Sequence, residues 1–273
     1  MKNDVEKLFH FRYAIRGTMH RDTLQWVDAL DIMLNLEPEH LVPQHTRPLT
    51  GTENIKEIVT AYRDAIQYVH DQTVRYMNKG LSGQEIAEIV HLPPHLRDHP
   101  YLIEYYGTVE WSVRAVYHGY IGWFSGRPSD LHPLRLQDEA RLMVDLAGGR
   151  EALVEKIKTA VSRSQYQWGL KLMDFIIDSE GGPGELEEEL MLLRSKCLQV
   201  LAGKEVSAPG MNWYLTEDLV MRGLEIKPSN EAKVARIKAG DIRDERWSIM
   251  SMLFNLLSFM QVIVHHADLH AGC

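Results

Sequence analysis

From Arg21 to Leu201 apolar side chains recur mostly every three or four positions, the spacing that gathers them on one side of a helix. Arg21–Leu36 carries Leu24, Val27, Ala29, Leu30, Met33 and Leu34 largely on one side. Glu37-Pro38 closes that helix, because the residue before proline is pushed out of the α region. His40–Pro43 is short and apolar, which predicts a buried strand that hands His45 to a loop. Thr52 is placed to cap a helix over Glu53–Lys79, whose stripe is Ile55, Ile58, Val59, Tyr62, Ala65, Ile66 and Val69. Gly80 is expected to end it. Ser82 opens a shorter helix to His91, with Glu85 placed for a capping box. Pro93, Pro94 and Pro100 mark a loop, and Trp111, Ala115, Val116 and Tyr120 predict a helix within Gly107–Phe124 despite Gly119 and Gly122.

Beyond the loop Gly126–Pro133 the texture changes to paired short helices over Glu139–Ala202. One run covers Glu151–Asp178, a Gly-Gly-Pro-Gly turn follows, and a second helix covers Glu185–Leu201. This pair is similar to a tetratricopeptide unit, with Ala160, Tyr166 and Trp168 at the positions of knobs. Its acidic start, Glu185, Glu187, Glu188 and Glu189, suits the positive end of a helix dipole. Asn212–Gly223 reads as a further helix. The apolar stretch Ile249–Val264 is broken by Ser251, Asn255, Ser258 and Gln261, and it is shorter than the roughly 20 residues that span a bilayer. No transmembrane segment is expected.

Composition narrows the classes further. With 273 residues, 45% hydrophobic and 25% charged, the chain can bury one large or two modest cores. A net charge of −8 without a Lys/Arg cluster argues against nucleic-acid binding. Two cysteines, Cys197 and Cys273, cannot build a disulfide framework, so redox chemistry does not fix the compartment. The first residues, MKNDVEKLFHFRY, lack the apolar core of a secretory leader. No Gly-rich phosphate loop, Gly-x-Ser-x-Gly elbow or Cys-x-x-Cys pair is present.

The order of motifs is more specific than any one of them. LVPQHTRPLTG, YRDAIQYVHDQTVRYMNKG, LPPHL and YYGTVEWSVRAVYHGYIGWFSG follow one another between Leu41 and Gly126. That order resembles the alkylsulfatases, secreted or periplasmic zinc hydrolases of the metallo-β-lactamase superfamily. The likeness covers roughly residues 10–215, the end of a catalytic domain and the dimerisation domain after it. It implies a mainly α fold: a residual α/β metallo-β-lactamase fragment (1–60), a helical dimerisation domain with the tetratricopeptide-like pair (61–215) and an unassigned helical tail (216–273).

The resemblance also implies roles for residues. Two zinc ions suit sulfate-ester hydrolysis, lowering the pKa of a bound water and clamping charged oxygens. In the family the last metal ligand is a histidine in a segment like LVPQHTRP, which carries onto His45. YAIRGTMHRDTLQW resembles the stretch before it, where an arginine near the Arg-Gly step lines the sulfate pocket. That carries onto Arg16, a planar fork for tetrahedral oxygens, with His20 beside it. A family tyrosine reaching toward the sulfate carries onto Tyr106. Read as packing alone, Tyr105, Tyr106, Trp111, Tyr117, Tyr120, Trp123 and Phe124 are core or dimer interface.

The His-x-His-x-Asp-His cluster of the family has no counterpart among the 44 residues before His45. No catalytic residue is assigned. His91, His95 and His99 recur every four residues, but Pro93 and Pro94 break the helix that would align them. His265, His266, Asp268 and His270 near the C-terminus have the wrong spacing and the wrong order. The expectation is therefore an alkylsulfatase-like, zinc-dependent hydrolase of alkyl sulfate esters that lacks most of its ligands as given. The alternative is a non-catalytic dimerisation or binding module of the same descent. Either is expected as a homodimer.

Overall fold

The computed structural model describes residue 15 and residues 22–43, 47–182 and 186–223. Among them are ten α-helices and one two-stranded sheet, so the fold is mainly α as the periodicity predicts. Two compact units form, one from Met1–Arg135 with Lys204–Met211, the other from Leu136–Gly203 with Asn212–Cys273.

In the first unit α1 spans Thr23–Asn35 and starts at Asp22, whose carboxylate accepts from the Leu24 and Gln25 amides at 2.9 and 3.0 Å. The hairpin that follows pairs β1 (His40–Leu41) antiparallel with β2 (Leu49–Thr50), His40 opposite Thr50. The expected strand at His40–Pro43 is thus two residues long and lies at the surface rather than in the core. Two strands bury too little to shelter either face, so the hairpin leans on the long helix beside it.

That helix is α2, Thr52–Met77, and Ile55, Ile58, Val59, Ala65, Ile66 and Val69 are its buried stripe. Its N-cap is Gly51 at φ 94°, not Thr52, and no side chain caps it. At the other end Gly80 takes φ 84° and donates to the Met77 carbonyl at 2.8 Å, the left-handed stop expected of it. Ser82 and Glu85 close a reciprocal capping box on α3, Gly83–Ile89. The Pro93-Pro94 stretch is not plain loop: Pro94 sits in the first turn of a short helix, α4, Pro94–Arg97.

Val109–Ile121 forms α5, capped by Thr108 and ended by Gly122 at φ 84°, three residues short of the expected Phe124. α3 and α5 approach closely at Gly83, where a Cβ would lie 3.0 Å from the Tyr117 ring. The core between α2, α3 and α5 holds Ala65, Val69, Ile86, Leu96, Leu102 and Val113.

The second unit is built of helices: α6 (Leu136–Leu146) and α7 (Arg150–Ser162) both pack on α8 (Tyr166–Ser179), then come most of α9 (Glu188–Lys204) and α10 (Ala208–Met221). The single helical run expected over 151–178 is two helices. The break falls at Arg163–Gln165, with Ser164 at φ 60°, and turns the chain back on itself. Leu153, Ile157, Leu170, Met173, Ile176, Leu190 and Leu198 fill the core with the Cys197 thiol. Of the three expected knobs, Ala160 is buried and Tyr166 packs against that core, but Trp168 faces solvent. Gly169 takes the close position next to it, between Val161 and Cys197. No helix among the described residues is long and apolar enough to cross a membrane.

Candidate functional site

The β1–β2 hairpin exists to carry its loop. Gly51 donates to the Glu39 carbonyl at 2.9 Å below the ladder, and His40 Nδ1 lies 3.3 Å from Thr50 Oγ1. These contacts fix where the chain leaves and re-enters, at exposed Val42 and exposed Arg47. His45 is between them and lies outside the described residues, as do Arg16, His20 and the histidines of the C-terminal tail.

Tyr106 is described. It sits in the turn before α5, and its side chain is buried, 7% exposed. Its carbonyl accepts from Ser207 Oγ at 2.6 Å, and the neighbouring Tyr105 carbonyl accepts from the Ala208 amide at 2.8 Å. The start of α10, about a hundred residues away, is thereby tied to this turn. The Glu104 carboxylate in the same turn accepts from the Val109 amide at 3.0 Å. Burial holds its pKa above the ordinary 4.5, and the Val109 amide opposes that shift.

His91 and His95 are exposed on either side of the Pro93-Pro94 turn, and half-buried His99 faces Glu57 at 3.8 Å. Among the described residues no group of three or more His, Cys, Asp or Glu side chains could hold a metal ion.

Two polar constellations that the sequence reading did not single out are built into the fold. On α2, His70 is buried among the apolar stripe. Its Nδ1 lies 2.8 Å from Asp71 Oδ1 and its Nε2 lies 2.8 Å from the Tyr120 hydroxyl. A carboxylate only accepts, so Nδ1 carries the proton toward Asp71, and in the neutral ring Nε2 accepts from Tyr120. The available signal was a histidine on the buried side of an otherwise apolar helix, one turn after Ile66.

In the second unit Arg194 of α9 is 8% exposed and lies between Asp174, at 2.9 Å, and Glu217. Burial alone would pull its pKa down, but Glu217 and Asp174 outweigh that and raise it. Next to it, buried Asp218 accepts from Ser195 Oγ at 2.5 Å, Gln199 at 3.0 Å and Arg222 at 2.6 Å. Every Asp218 oxygen is satisfied within the unit, the arrangement of a structural network.

Large apolar side chains also lie open to solvent. In the first unit two groups stand out beside the separate Val42, Ile89, Tyr105 and Val206. Leu24, Ile32 and Leu36 belong to α1 and its end, while Tyr120, Ile121, Trp123, Leu131 and Leu134 lie in one stretch that begins in the last turn of α5.

Comparison with known proteins gives these surfaces a context. Residues 82–223 match the family model described as alkyl sulfatase dimerisation. A linear primary-alkylsulfatase of Pseudomonas is 38% identical over 212 residues, 77% of this chain and 39% of that protein. An alkyl/aryl-sulfatase of Saccharomyces cerevisiae is 29% identical over 225 residues, 81% of this chain and 34% of its own. The solved structure of the stereoselective inverting sec-alkylsulfatase Pisa1 from Pseudomonas superposes with a TM-score of 0.75. It is 25% identical, over 82% of this chain and 36% of that one. The chain therefore spans well under half the length of the relatives it matches.

Proposed function

The chain belongs to the alkyl sulfatase dimerisation family, and from that premise we propose that it is the self-associating part of a protein that hydrolyses alkyl sulfate esters. The observation that carries this reading is the run of solvent-facing aromatic and aliphatic side chains from the end of α5 to Leu134, which falls inside the matched residues. A soluble domain gains nothing by leaving such residues in water, and a second copy would remove them from it. A two-fold contact is the commonest symmetric solution, and an interface this apolar is obligate in character. Light scattering at micromolar concentration tests it: the expected mass is near twice 31.4 kDa. A monodisperse monomer with a sharp unfolding transition refutes it.

A second reading rests on the segment LVPQHTRP. There His45 is a ligand to zinc, Arg16 and His20 face the sulfate, Tyr106 lies at the substrate side, and the protein is a metallo-β-lactamase-type hydrolase. Zinc would supply an activated water and charge for the sulfate oxygens. The described residues gather no such ligand set themselves, so this reading requires ligands from elsewhere. Elemental analysis of the dialysed chain discriminates. Well under one zinc per protomer, with no release of sulfate from a medium-chain alkyl sulfate, fits the module. Stoichiometric zinc lost on His45→Ala, with sulfate release lost on Arg16→Ala, establishes the hydrolase.

A further inference from the structure

Lys204–Met211 belongs to the first unit, although the chain on both sides of it belongs to the second. We propose that this segment is a strap whose hold on the turn before α5 tightens in acid and slackens as pH rises, with the carboxyls of Glu104 and Glu205 as its sensor.

The hold is polar and narrow. Ser207 is completely buried, and its hydroxyl has two tasks. It donates to the Tyr106 carbonyl at 2.6 Å, across 101 positions of sequence, and it accepts from the Gly210 amide at 3.4 Å. The same atom therefore docks the strap and caps α10. The Ala208 amide adds a bond to the Tyr105 carbonyl at 2.8 Å. Val206, the branched aliphatic residue of the strap, is 57% exposed and adds little packing. Each such hydrogen bond is modest on net, so charge at the joint can decide the balance.

Two carboxyls lie at this joint, each on the amide of a residue where a helix begins. Glu104 accepts from the Val109 amide at the start of α5, and Glu205 accepts from the Ser207 amide ahead of α10, both at 3.0 Å. Glu205 lies flat on Gly210, where a Cβ would come within 2.9 Å of the Glu205 Cγ and Cδ. A helix start favours a carboxylate in its charged form. One such charge suits the joint, but a second meets its like, and Glu110 of α5 adds to the repulsion. Burial is the strongest influence on Glu104. With Glu110 and Glu205 it holds that carboxyl above the ordinary 4.5, against the Val109 amide and the exposed His91 after α3. Release of the strap carries Glu205 away from Glu104 and relieves their repulsion. The docked strap therefore gains from a proton on Glu104. That gain is fully present below 4.5 and is lost as pH rises through the raised value.

Amide exchange of the full chain at about pH 5 and about pH 7.5, corrected for the intrinsic pH dependence of exchange, reads the strap through Ala208. Buried Ile157 in the core of the second unit is the reference. Protection of Ala208 relative to Ile157 is expected to fall between the two pH values. Glu104→Gln keeps an acceptor for the Val109 amide but does not ionise. It should abolish that fall and hold Ala208 at its acid level, and Glu205→Gln should abolish it as well. A merely structural Glu104 would lose protection equally at both pH values on substitution; that result overturns the sensor, as does wild-type protection that ignores pH. A fall that persists in Glu104→Gln and vanishes in His91→Gln assigns the response to the imidazole and overturns the carboxyl pair. Ser207→Ala should cost Ala208 about tenfold in protection at both pH values, and unchanged protection overturns the hold itself. If Ser207→Ala does not fold, the Glu104→Gln, Glu205→Gln and His91→Gln profiles still decide.

Discussion

Both units bury polar side chains of a kind that apolar cores usually exclude, and His70 and Arg194 are partnered in different ways. Arg194 pairs with two partly exposed carboxylates of its own unit, Asp174 and Glu217, while its Nη1 has no hydrogen-bond partner; its neighbour Asp218 is fully bonded there. His70 leads outward, because its partners Asp71 and Tyr120 both reach solvent. A network of ion pairs neutralises a buried charge and serves its own unit's stability. One that ends on an exposed tyrosine can transmit order to a surface.

If that contrast is right, deleting the two groups should have unequal consequences. Arg194→Ala removes two ion pairs and empties a buried site, so it should cost about 2 kcal/mol of unfolding free energy, mostly from lost packing and hydrogen bonds. Urea titration would show this as a lower midpoint at unchanged slope. A loss too small to measure would mean the network is surface decoration, and the comparison fails.

His70→Leu should cost less, roughly 1 kcal/mol, because Asp71 and the Tyr120 hydroxyl can turn to water once the imidazole is gone. Its larger effect should be on association rather than folding. An unfolding loss as large as that of Arg194→Ala would show that His70, too, is mainly structural.

The smallest expected effect sharpens the picture of the turn beneath α5. Burial raises the pKa of Glu104 above 4.5, so the stability this carboxyl contributes is present below the unfolded value and is lost as pH rises through the folded value. Glu104→Gln does not ionise and can still accept from the Val109 amide. It should raise the unfolding midpoint at pH 7 by a few tenths of about 1 kcal/mol, and the gain should vanish near pH 4. A variant less stable than wild type at pH 7 would mean that the charged form is the one the turn holds.

Local chemistry was legible wherever a residue acts on its own few neighbours. Ser82 with Glu85, and Gly80, each begin or end a helix because their bonds reach no further than one turn. The stripe of α2 was legible for a similar reason, since periodicity reports which face is apolar. The same rule misled at Trp168, which shares the helical spacing but faces solvent while Gly169 takes the tight position against Val161 and Cys197. It also ran two helices into one at Ser164, where a left-handed residue that is not glycine leaves no mark in the pattern.

The sequence by itself thus determined a mainly helical chain, the caps at Gly80 and Ser82 and the family to which it belongs, because each depends on residue types at fixed short spacings. Only the tertiary structure decided that Ser207 would bond the Tyr106 carbonyl, that Arg194 would lie between Asp174 and Glu217, and that Tyr120 would be held from beneath by His70. Those partners are separated by about 20 to 100 positions. No local periodicity carries that information; it arises when apolar faces are brought together and each buried polar group must find a partner nearby.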